Sequence, residues 1–289
     1  MTRSEFRTYV HPNERSRFIL ALIVSIPVIL ALGVLTVMSY GLLLLVVGFL
    51  LLLFWLGFET FYARFVGNAI RVSETNYPRL KTILEDMSHQ LSVRKKVDVF
   101  IYQQGEFNAY FTRFVGRRAI FLNSDLLEKG VSDDEIRWLM GRFLGSVRSQ
   151  ELTHVFGWMI GFVKRLVVFN FFIFPYDRST ACTGDRVALA CIGGEISIAI
   201  AAMNKLLVGR GVGYSVNPAG IVKQNRNVRG SFFAFLARLF SPVPHTVTRY
   251  VELIGFAGRR FPESFERFVA ENPSFQAVSF SQSRIGEAS

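Results

Sequence analysis

Two long stretches without a charged residue lie near the start of the chain and limit its fold more than any other feature. They cover residues 18–38, interrupted only by Pro27, and residues 42–58, and a short turn joins them. A helix needs about 20 apolar residues to cross the hydrocarbon core of a bilayer. The first stretch is too long for a cleaved signal peptide and is followed directly by a second one. The sequence therefore predicts a hairpin of two transmembrane helices over residues 18–62.

Lysine and arginine predict how this hairpin is oriented. Four arginines precede it within residues 1–17, more basic residues follow it, and the turn between the helices has none. Basic residues concentrate on the cytoplasmic side of membrane proteins, so both ends of the hairpin are expected in the cytoplasm. We therefore expect a multi-pass protein of the inner, cytoplasmic membrane. Residues 1–17 form a cytoplasmic segment, and the domain after the hairpin also faces the cytoplasm.

The composition favours contact with lipid. Apolar residues make up 51% of the chain and the formal net charge is +11, which is typical of a membrane protein held against an anionic inner leaflet. Nucleic acid would also fit this charge. The sequence has no zinc finger, aromatic RNA-binding signature or clustered basic helix, so we expect no nucleic-acid partner. Cys182 and Cys191 form no Cys-x-x-Cys pair, which argues for neither a disulfide framework nor a thiolate zinc site.

Beyond the hairpin, the pattern predicts a mainly helical α+β domain over residues 63–271. Apolar residues at three- and four-residue steps predict helices, and alternation predicts strands. The helices are expected over residues 77–91, 132–148, 182–207, 231–240 and 246–256, and the strands over residues 97–102, 107–111 and 119–122. Ser132 and Glu135 form a capping box at the start of one helix. Residues 272–289 are expected to form a flexible tail.

A further apolar segment, residues 155–175, allows several interpretations. It is rich in aromatic and aliphatic residues, but Lys164 and Arg165 lie in its middle. A charge at the centre of a membrane span costs about 3 kcal/mol. A re-entrant or interfacial hairpin with these two residues at the headgroups is therefore favoured. A buried core helix comes next, and a full third span comes last.

Several short blocks, in a fixed order across residues 9–256, carry a family resemblance. They are residues 9–12 (YVHP), 108–113 (NAYFTR), 121–127 (FLNSDLL), 133–136 (DDEI), Arg178 with Asp185-Arg186, 205–209 (KLLVG) and 239–244 (LFSPVP). Together they resemble the HtpX-type membrane zinc metallopeptidases, a group that includes the CAAX prenyl proteases. The resemblance implies a zincin-like domain with a small sheet beside the helix that carries the metal ligands.

The resemblance also implies a zinc site, and the chain lacks the residues of that site. In such peptidases an H-E-x-x-H helix supplies two histidine ligands one turn apart, and its glutamate activates the bound water. Here the histidine positions are Gly141 and Gly145, and the glutamate position is Arg142. The third ligand position is Ala181, and a further family histidine is matched by Val243. We therefore expect no catalytic residue, no zinc and no other cofactor.

Asp185 is the matched position that keeps the family residue, which in that family orients a metal ligand. Gly141 and Gly145 are small residues at four-residue spacing, which lets another backbone approach closely. We therefore hypothesise that tighter helix packing closes the former metal pocket, with the cation of Arg142 near Asp185 in place of zinc. The alternative is an Arg142 side chain that points to solvent.

Metal ligands that have moved elsewhere are the alternative to a lost site. No two histidines of the chain have zinc spacing with each other; they are His11, His89, His154 and His245. Each is interpreted as an ordinary surface or hydrogen-bonded histidine. A relocated site built from His154, Asp185 and Cys182 has little support.

The predicted strand around Asn108, Ala109 and Tyr110 does not depend on a metal. In the family it lines the substrate cleft, where an extended peptide pairs with its backbone. Its presence here favours peptide or protein binding. The alternative is that the strand is present only because the fold requires it.

Three hypotheses about function follow. The leading one is a catalytically inactive membrane metallopeptidase homologue that binds or scaffolds membrane-protein partners, either clients or subunits of a complex. The first alternative is an active zinc-dependent endopeptidase with displaced ligands, acting in membrane-protein quality control as the family does. The second alternative is a structural subunit of an inner-membrane complex. The sequence leaves the oligomeric state open.

Overall fold

A computed structural model describes residues 1–103, 109–114, 117–127, 130–152, 154–166 and 169–276 of the chain. Its helices are α1 (Arg3–Arg7), α2 (Glu14–Met38), α3 (Leu42–Gly67), α4 (Pro78–Gln90), α5 (Asp133–Leu152), α6 (His154–Lys164), α7 (Asn170–Cys191), α8 (Ile196–Val208), α9 (Arg210–Gly213), α10 (Pro218–Gly230), α11 (Phe232–Leu239), α12 (Thr246–Arg260), α13 (Pro262–Glu271) and α14 (Pro273–Gln276). Its strands are β1 (Ile70–Arg71), β2 (Asp98–Tyr102), β3 (Ala109–Phe114) and β4 (Arg117–Asn123), and a 3-10 helix covers Ser124–Leu127. The predicted mainly helical α+β class is confirmed, and a zincin-like domain stays a prediction.

α2 and α3 are the two helices within the described ranges that are long and apolar enough to cross a membrane. α3 is rich in leucine, a strong helix former, and buries none of its residues. A continuous apolar surface of this kind is unfavourable in water. The pair is therefore compatible with a membrane protein. α2 begins four residues before the predicted hairpin, and α3 ends five residues after it.

Within the described residues, the strands form a sheet in the order β1-β2-β4-β3. β2 and β4 are parallel, whereas β3 pairs with β4 in antiparallel orientation and lies at one edge. Val99 and Ile120 face the main core. Phe100 and Phe121 stack on the opposite face of the sheet, where Phe65 from the end of α3 contacts Phe121. α3 thus continues beyond its apolar stretch and lies on the sheet.

The predicted strands over residues 97–102 and 119–122 are confirmed to within two residues. For the strand predicted over residues 107–111, the structure describes a strand from residue 109 onward. Residues 107 and 108 lie outside the described residues, as do residues 115 and 116 between β3 and β4.

The main core forms around α5. This helix buries a stripe that includes Trp138 and Leu139 between α4, α7 and α8. The predicted capping box begins the helix: the backbone N–H of Glu135 donates to Ser132 Oγ at 3.2 Å, and the Glu135 carboxylate accepts from the N–H of Ser132 at 3.3 Å. Phe6 from α1 enters the same core. The segment before the hairpin is therefore part of the core, although the sequence predicts it only as a cytoplasmic segment.

The single helix predicted over residues 182–207 is wrong. α7 begins earlier and ends at Cys191, and α8 begins at Ile196. Gly193 and Gly194 lie between them with φ angles of 72° and 83°, in the left-handed region that favours glycine. The small and apolar residues on both sides continue one periodic pattern, so periodicity alone does not show the break.

The first residues of the predicted tail are ordered. α14 follows residue 272 directly, and Phe275 within it is 2% exposed. Its ring lies against that of Phe268, with centroids 5.5 Å apart. Residues 277–289 of the predicted tail lie outside the described residues.

The described part of the apolar segment over residues 155–175 consists of α6 and the start of α7, which lie beside α2. α6 and the first turns of α7 pack against α2 in a small cluster that includes Ala21 and Ile160. Lys164 forms an ion pair with Asp177. Neither α6 nor α7 is long and apolar enough to be a third span. The segment therefore has one face packed on the first apolar helix.

Candidate functional site

The positions matched to the zinc ligands lie where α5 packs against α7. Gly141 faces Ala188 and Gly145 faces Gly184, so the two helices run in opposite directions. Each helix has two small residues at the contact, and the two are four positions apart in the sequence. Small residues at this spacing let two backbones approach closely.

This contact leaves no room for larger side chains. A Cβ atom on Gly145 would lie 3.1 Å from the Cα atom of Gly184, and one on Gly141 would lie 3.2 Å from the Cβ atom of Ala188. A Cβ atom on Gly184 would lie 2.0 Å from the carbonyl oxygen of Arg142. An imidazole ring would not fit at either glycine of α5 while the helices keep this separation. The geometry agrees with the packing hypothesis.

Asp185 lies beside the helix contact, and two arginines are close to it. Arg249 of α12 binds it directly, since its Nε atom donates to Oδ2 at 2.8 Å and its Nη2 atom to Oδ1 at 2.5 Å. The Nε atom of Arg142 lies 3.7 Å from Oδ1. Arg142 is therefore near Asp185 rather than in solvent, but Arg249 makes the direct pair. Arg249 belongs to none of the matched blocks, so the sequence analysis missed it.

Two aromatic rings also lie close to Arg142. Its guanidinium lies 4.8 Å from the ring centroid of Phe143 and 5.6 Å from that of Trp138. Burial, and next the positive charge of Arg249, lower the pKa of Arg142 to about 9. Burial acts in the same direction on Arg249, but the carboxylate of Asp185 outweighs it and raises the pKa of Arg249. The charge of Asp185 therefore stabilises mainly Arg249, and the cation of Arg142 contacts the faces of two aromatic rings.

A second buried cluster lies next to the first, around Glu252. Its Oε1 atom lies 3.2 Å from Nε2 of His11 and 2.6 Å from Nη2 of Arg186. Burial alone would raise the pKa of Glu252. The hydrogen bond from His11 and the charge of Arg186 outweigh burial and hold the pKa at about 2. Burial, and next the charge of Glu252, raise the pKa of Cys182, so this thiol is protonated at neutral pH.

The start of α2 is hydrogen-bonded to the same region. The carboxylate of Glu14 accepts from the hydroxyl groups of Ser149 in α5 and Thr183 in α7. The backbone N–H of His11 donates to Thr183 Oγ1 at 2.9 Å. His11 is thus a buried, hydrogen-bonded histidine, one of the two environments expected for it. These bonds connect the first apolar helix to the α5–α7 pair.

Zinc, which the resemblance implies, does not fit the residues at the matched positions. Gly141, Gly145 and Ala181 carry no donor atom in their side chains, and Asp185 is engaged by Arg249. Three protein ligands are needed to hold a catalytic zinc. Among the residues that the structure describes, no group of three or more His, Cys, Asp or Glu side chains is arranged to hold a metal ion.

The other positions matched to zinc ligands, and the residues of the alternative site, lie apart from one another. Ala181 lies on α7, one turn before Asp185, whereas Val243 is exposed in the loop between α11 and α12. Cys182 of the alternative, relocated site is buried, and the charge of Glu252 adds to burial in raising the pKa of its thiol. The side chain of its other member, His154, lies outside the described residues.

The candidate peptide-binding strand lies at the edge of the sheet. Its two faces have different neighbours, because alternate side chains point in opposite directions. The ring of Tyr110 stacks on Phe121 with centroids 4.7 Å apart, and the ring of Phe111 lies against Phe143 of α5 at 6.0 Å. Ala109 pairs with β4, and no described strand pairs with the outer edge of β3. Asn108 lies outside the described residues.

Comparison with protein-family models, with curated proteins and with solved structures returns no match to this chain.

Proposed function

We propose that this chain is a catalytically inactive homologue of the HtpX-type membrane metallopeptidases that binds or scaffolds membrane-protein partners. One observation carries the proposal. The positions matched to two zinc ligands are used for direct contact between α5 and α7, beside the ion pair of Asp185 with Arg249. A closed helix contact provides no open coordination site for a metal-activated water, which zinc peptidases require.

The proposed location is the cytoplasmic membrane. α2 and α3 supply the candidate spans, and the basic residues at both ends of this hairpin favour a body that faces the cytoplasm. The net charge of +11 favours an anionic inner leaflet as the lipid surface.

The proposed partner is an extended segment of a membrane protein. The outer edge of β3 offers backbone groups to which such a segment can add as a further strand. Main-chain pairing needs no metal, so this mode of binding is independent of the lost zinc ligands.

Metal content separates the proposal from an active endopeptidase. Protein purified in detergent without chelators should contain no stoichiometric zinc by inductively coupled plasma mass spectrometry. About one tightly held zinc per chain, the content of a catalytic site, would overturn the proposal. An active HtpX-type peptidase purified in the same way is the positive control.

Cross-linking in native membranes separates a client-binding protein from a structural subunit. A photoreactive residue in place of Ala109 reports on the edge of β3, and the same residue in place of the exposed Glu74, near the opposite edge of the sheet, is the control. Several substoichiometric partners from position 109 alone would support client binding. One constant partner would favour a structural subunit of a membrane complex.

A further inference from the structure

α11 exposes a row of phenylalanines. Phe232 is 68% exposed, Phe233 is 77% exposed, and Phe240 directly after the helix is 69% exposed. Phe232, Leu236 and Phe240 follow one another at four-residue steps and thus share one face. The helix buries none of its residues. An exposed apolar face of this kind marks an interaction surface.

The position of α11 relative to the apolar hairpin follows from its contacts with α7. Nη1 of Arg178 donates to the carbonyl oxygen of Arg238 at 2.6 Å and to that of Ser241 at 3.0 Å. Two residues before Arg178, the ring of Tyr176 contacts Phe18 of α2, with centroids 5.3 Å apart. The end of α11 is therefore level with the point at which the charge-free stretch of α2 begins.

Three guanidinium groups lie at this level. Arg178 Nη1 is 2.6 Å from the carbonyl oxygen of Arg238, and Arg17 directly precedes Phe18, whose ring contacts Tyr176. Burial, and next the positive charges of Arg238 and Arg17, lower the pKa of Arg178 to about 10. The neighbouring Asp177 forms an ion pair with Lys164. Among the described residues, no carboxylate forms an ion pair with Arg17, Arg178 or Arg238. The cluster therefore has an excess of positive charge.

We propose that α11 lies in the membrane interface, with Phe232, Phe233 and Phe240 among the upper acyl chains and the arginine cluster at anionic lipid phosphates. A short amphipathic helix with aromatic residues on one face and basic residues nearby binds a bilayer surface in this way. The end of α11 is level with the start of the apolar exterior of α2, and the excess positive charge beside it complements anionic lipid, which selects lipid as the occupant. The inference rests on the proposed membrane location but not on the loss of zinc chemistry.

Accessibility of spin labels to oxygen and to a nickel chelate tests the inference. Single cysteines replace Phe233 on α11, Leu45 on α3 and Tyr214. The full chain is placed, one copy per nanodisc, in phosphatidylcholine with phosphatidylglycerol. The unsubstituted chain gives the labelling background from Cys182 and Cys191.

Tyr214 is the control for exposure without lipid. It is 87% exposed and lines the same groove as Glu135, at the start of α5. α5 extends about 20 Å from Glu135 to Ser149, and Ser149 is hydrogen-bonded to Glu14 at the base of α2. Tyr214 therefore lies at the end of the domain remote from the hairpin.

The labels at positions 233 and 45 should both be more accessible to oxygen than to the nickel chelate, and the label at 214 should show the reverse. A label at 233 that behaves like the one at 214, while 45 reports lipid, would overturn the inference alone. A nickel-accessible label at 45 would overturn the membrane location and the inference together. A label at 233 shielded from both reagents would identify a protein surface instead of lipid and overturn the inference.

The lipid charge is tested with the same label at position 233. In phosphatidylcholine alone, or in the mixed bilayer with Arg238→Gln, the ratio of oxygen to nickel accessibility should fall. Equal ratios in both bilayers and in both variants would overturn the assignment of the arginine cluster to lipid phosphates.

Discussion

Two ion pairs are buried beside the α5–α7 contact. Arg249 faces Asp185, and Arg186 faces Glu252. A buried ion pair adds little net stability, but removal of one partner leaves an uncompensated charge that costs about 3–5 kcal/mol. The loss of stability on substitution of one residue therefore tests which residue is its partner in the ion pair.

Arg249→Gln is expected to lower the free energy of unfolding by about 3 kcal/mol, because Asp185 loses both of its short hydrogen bonds. Arg142→Gln should lower the free energy of unfolding by less. The Nε atom of Arg142 is 3.7 Å from Asp185, and burial disfavours the charged form of this side chain. Unfolding in detergent followed by circular dichroism measures both variants. A larger loss for the Arg142 variant would contradict the assignment of Asp185 to Arg249.

Glu252 should make the stability depend on pH in the acid range. Its pKa falls from 4.5 in the unfolded chain to about 2 in the folded one. The folded state therefore binds fewer protons, and the stabilisation of about 3 kcal/mol is complete above pH 4.5 and is lost as the pH falls towards 2.

The stability difference between the parent protein and Glu252→Gln should thus be constant near neutral pH and shrink between pH 4.5 and pH 2. Unfolding at a series of pH values in an acid-stable detergent measures this difference. Glu266→Gln, at an exposed position of α13, is the matched control. A difference that stays constant down to pH 2 would show that the charge of Glu252 is not the source.

At the scale of elements, the separation of α5 and α7 depends on glycine at facing positions. The Cβ atom of an alanine at position 184 would meet the backbone carbonyl of Arg142, which has no flexible end to move aside. Relief would require the two helices to separate along their buried length. At this contact, therefore, a single added methyl group should have a large effect on the stability of the fold.

Gly184→Ala is expected to lower the free energy of unfolding by more than about 2 kcal/mol, since overpacking forces backbone shifts. Gly220→Ala is the control, because this glycine lies in α10 with no atom within 4 Å of the added methyl group. There the helix propensity of alanine predicts equal or slightly greater stability. Similar stabilities for the two variants in detergent would contradict the close approach of α5 and α7.

At the scale of the whole molecule, the hairpin and the domain after it are not separate folding units. Phe6 contributes to the main core, Glu14 accepts hydrogen bonds from α5 and α7, and Ala21 packs against α6 and α7. The domain assigned from sequence to residues 63–271 therefore lacks part of its own core.

A chain that begins at residue 63 is thus expected to aggregate in the absence of detergent, and to unfold more easily than the full chain when detergent is present. The expectation follows from the apolar face that α2 covers and from the hydroxyl groups of Ser149 and Thr183 that lose Glu14. Size-exclusion chromatography measures the first effect and thermal unfolding the second. A truncated chain that is monodisperse in buffer and as stable as the full chain would contradict this dependence.

The local sequence pattern was sufficient to predict those features that depend on a single helix, strand or cap. The apolar hairpin, the capping box at Ser132, the helices α4, α5, α11 and α12 and the strands β2, β3 and β4 follow from residues adjacent in the chain. Pattern was not sufficient at residues 182–207, where a pair of glycines ends a helix inside an unbroken periodicity. It also missed the buried N-terminal segment, because the charges of that segment are typical of an exposed one.

By itself, the sequence determined that the chain has two apolar helices, a small sheet, and no metal-binding side chain at the matched positions 141, 145 and 181. Side-chain chemistry and short-range periodicity are properties of the residues alone, so no fold is needed to read them. Only the tertiary structure decided that Arg249, not Arg142, binds Asp185 directly, and that His11 and Glu14 join the first apolar helix to α5 and α7. These contacts bridge up to 172 positions of the chain, and such pairings arise from the packing of whole elements, which no local pattern encodes.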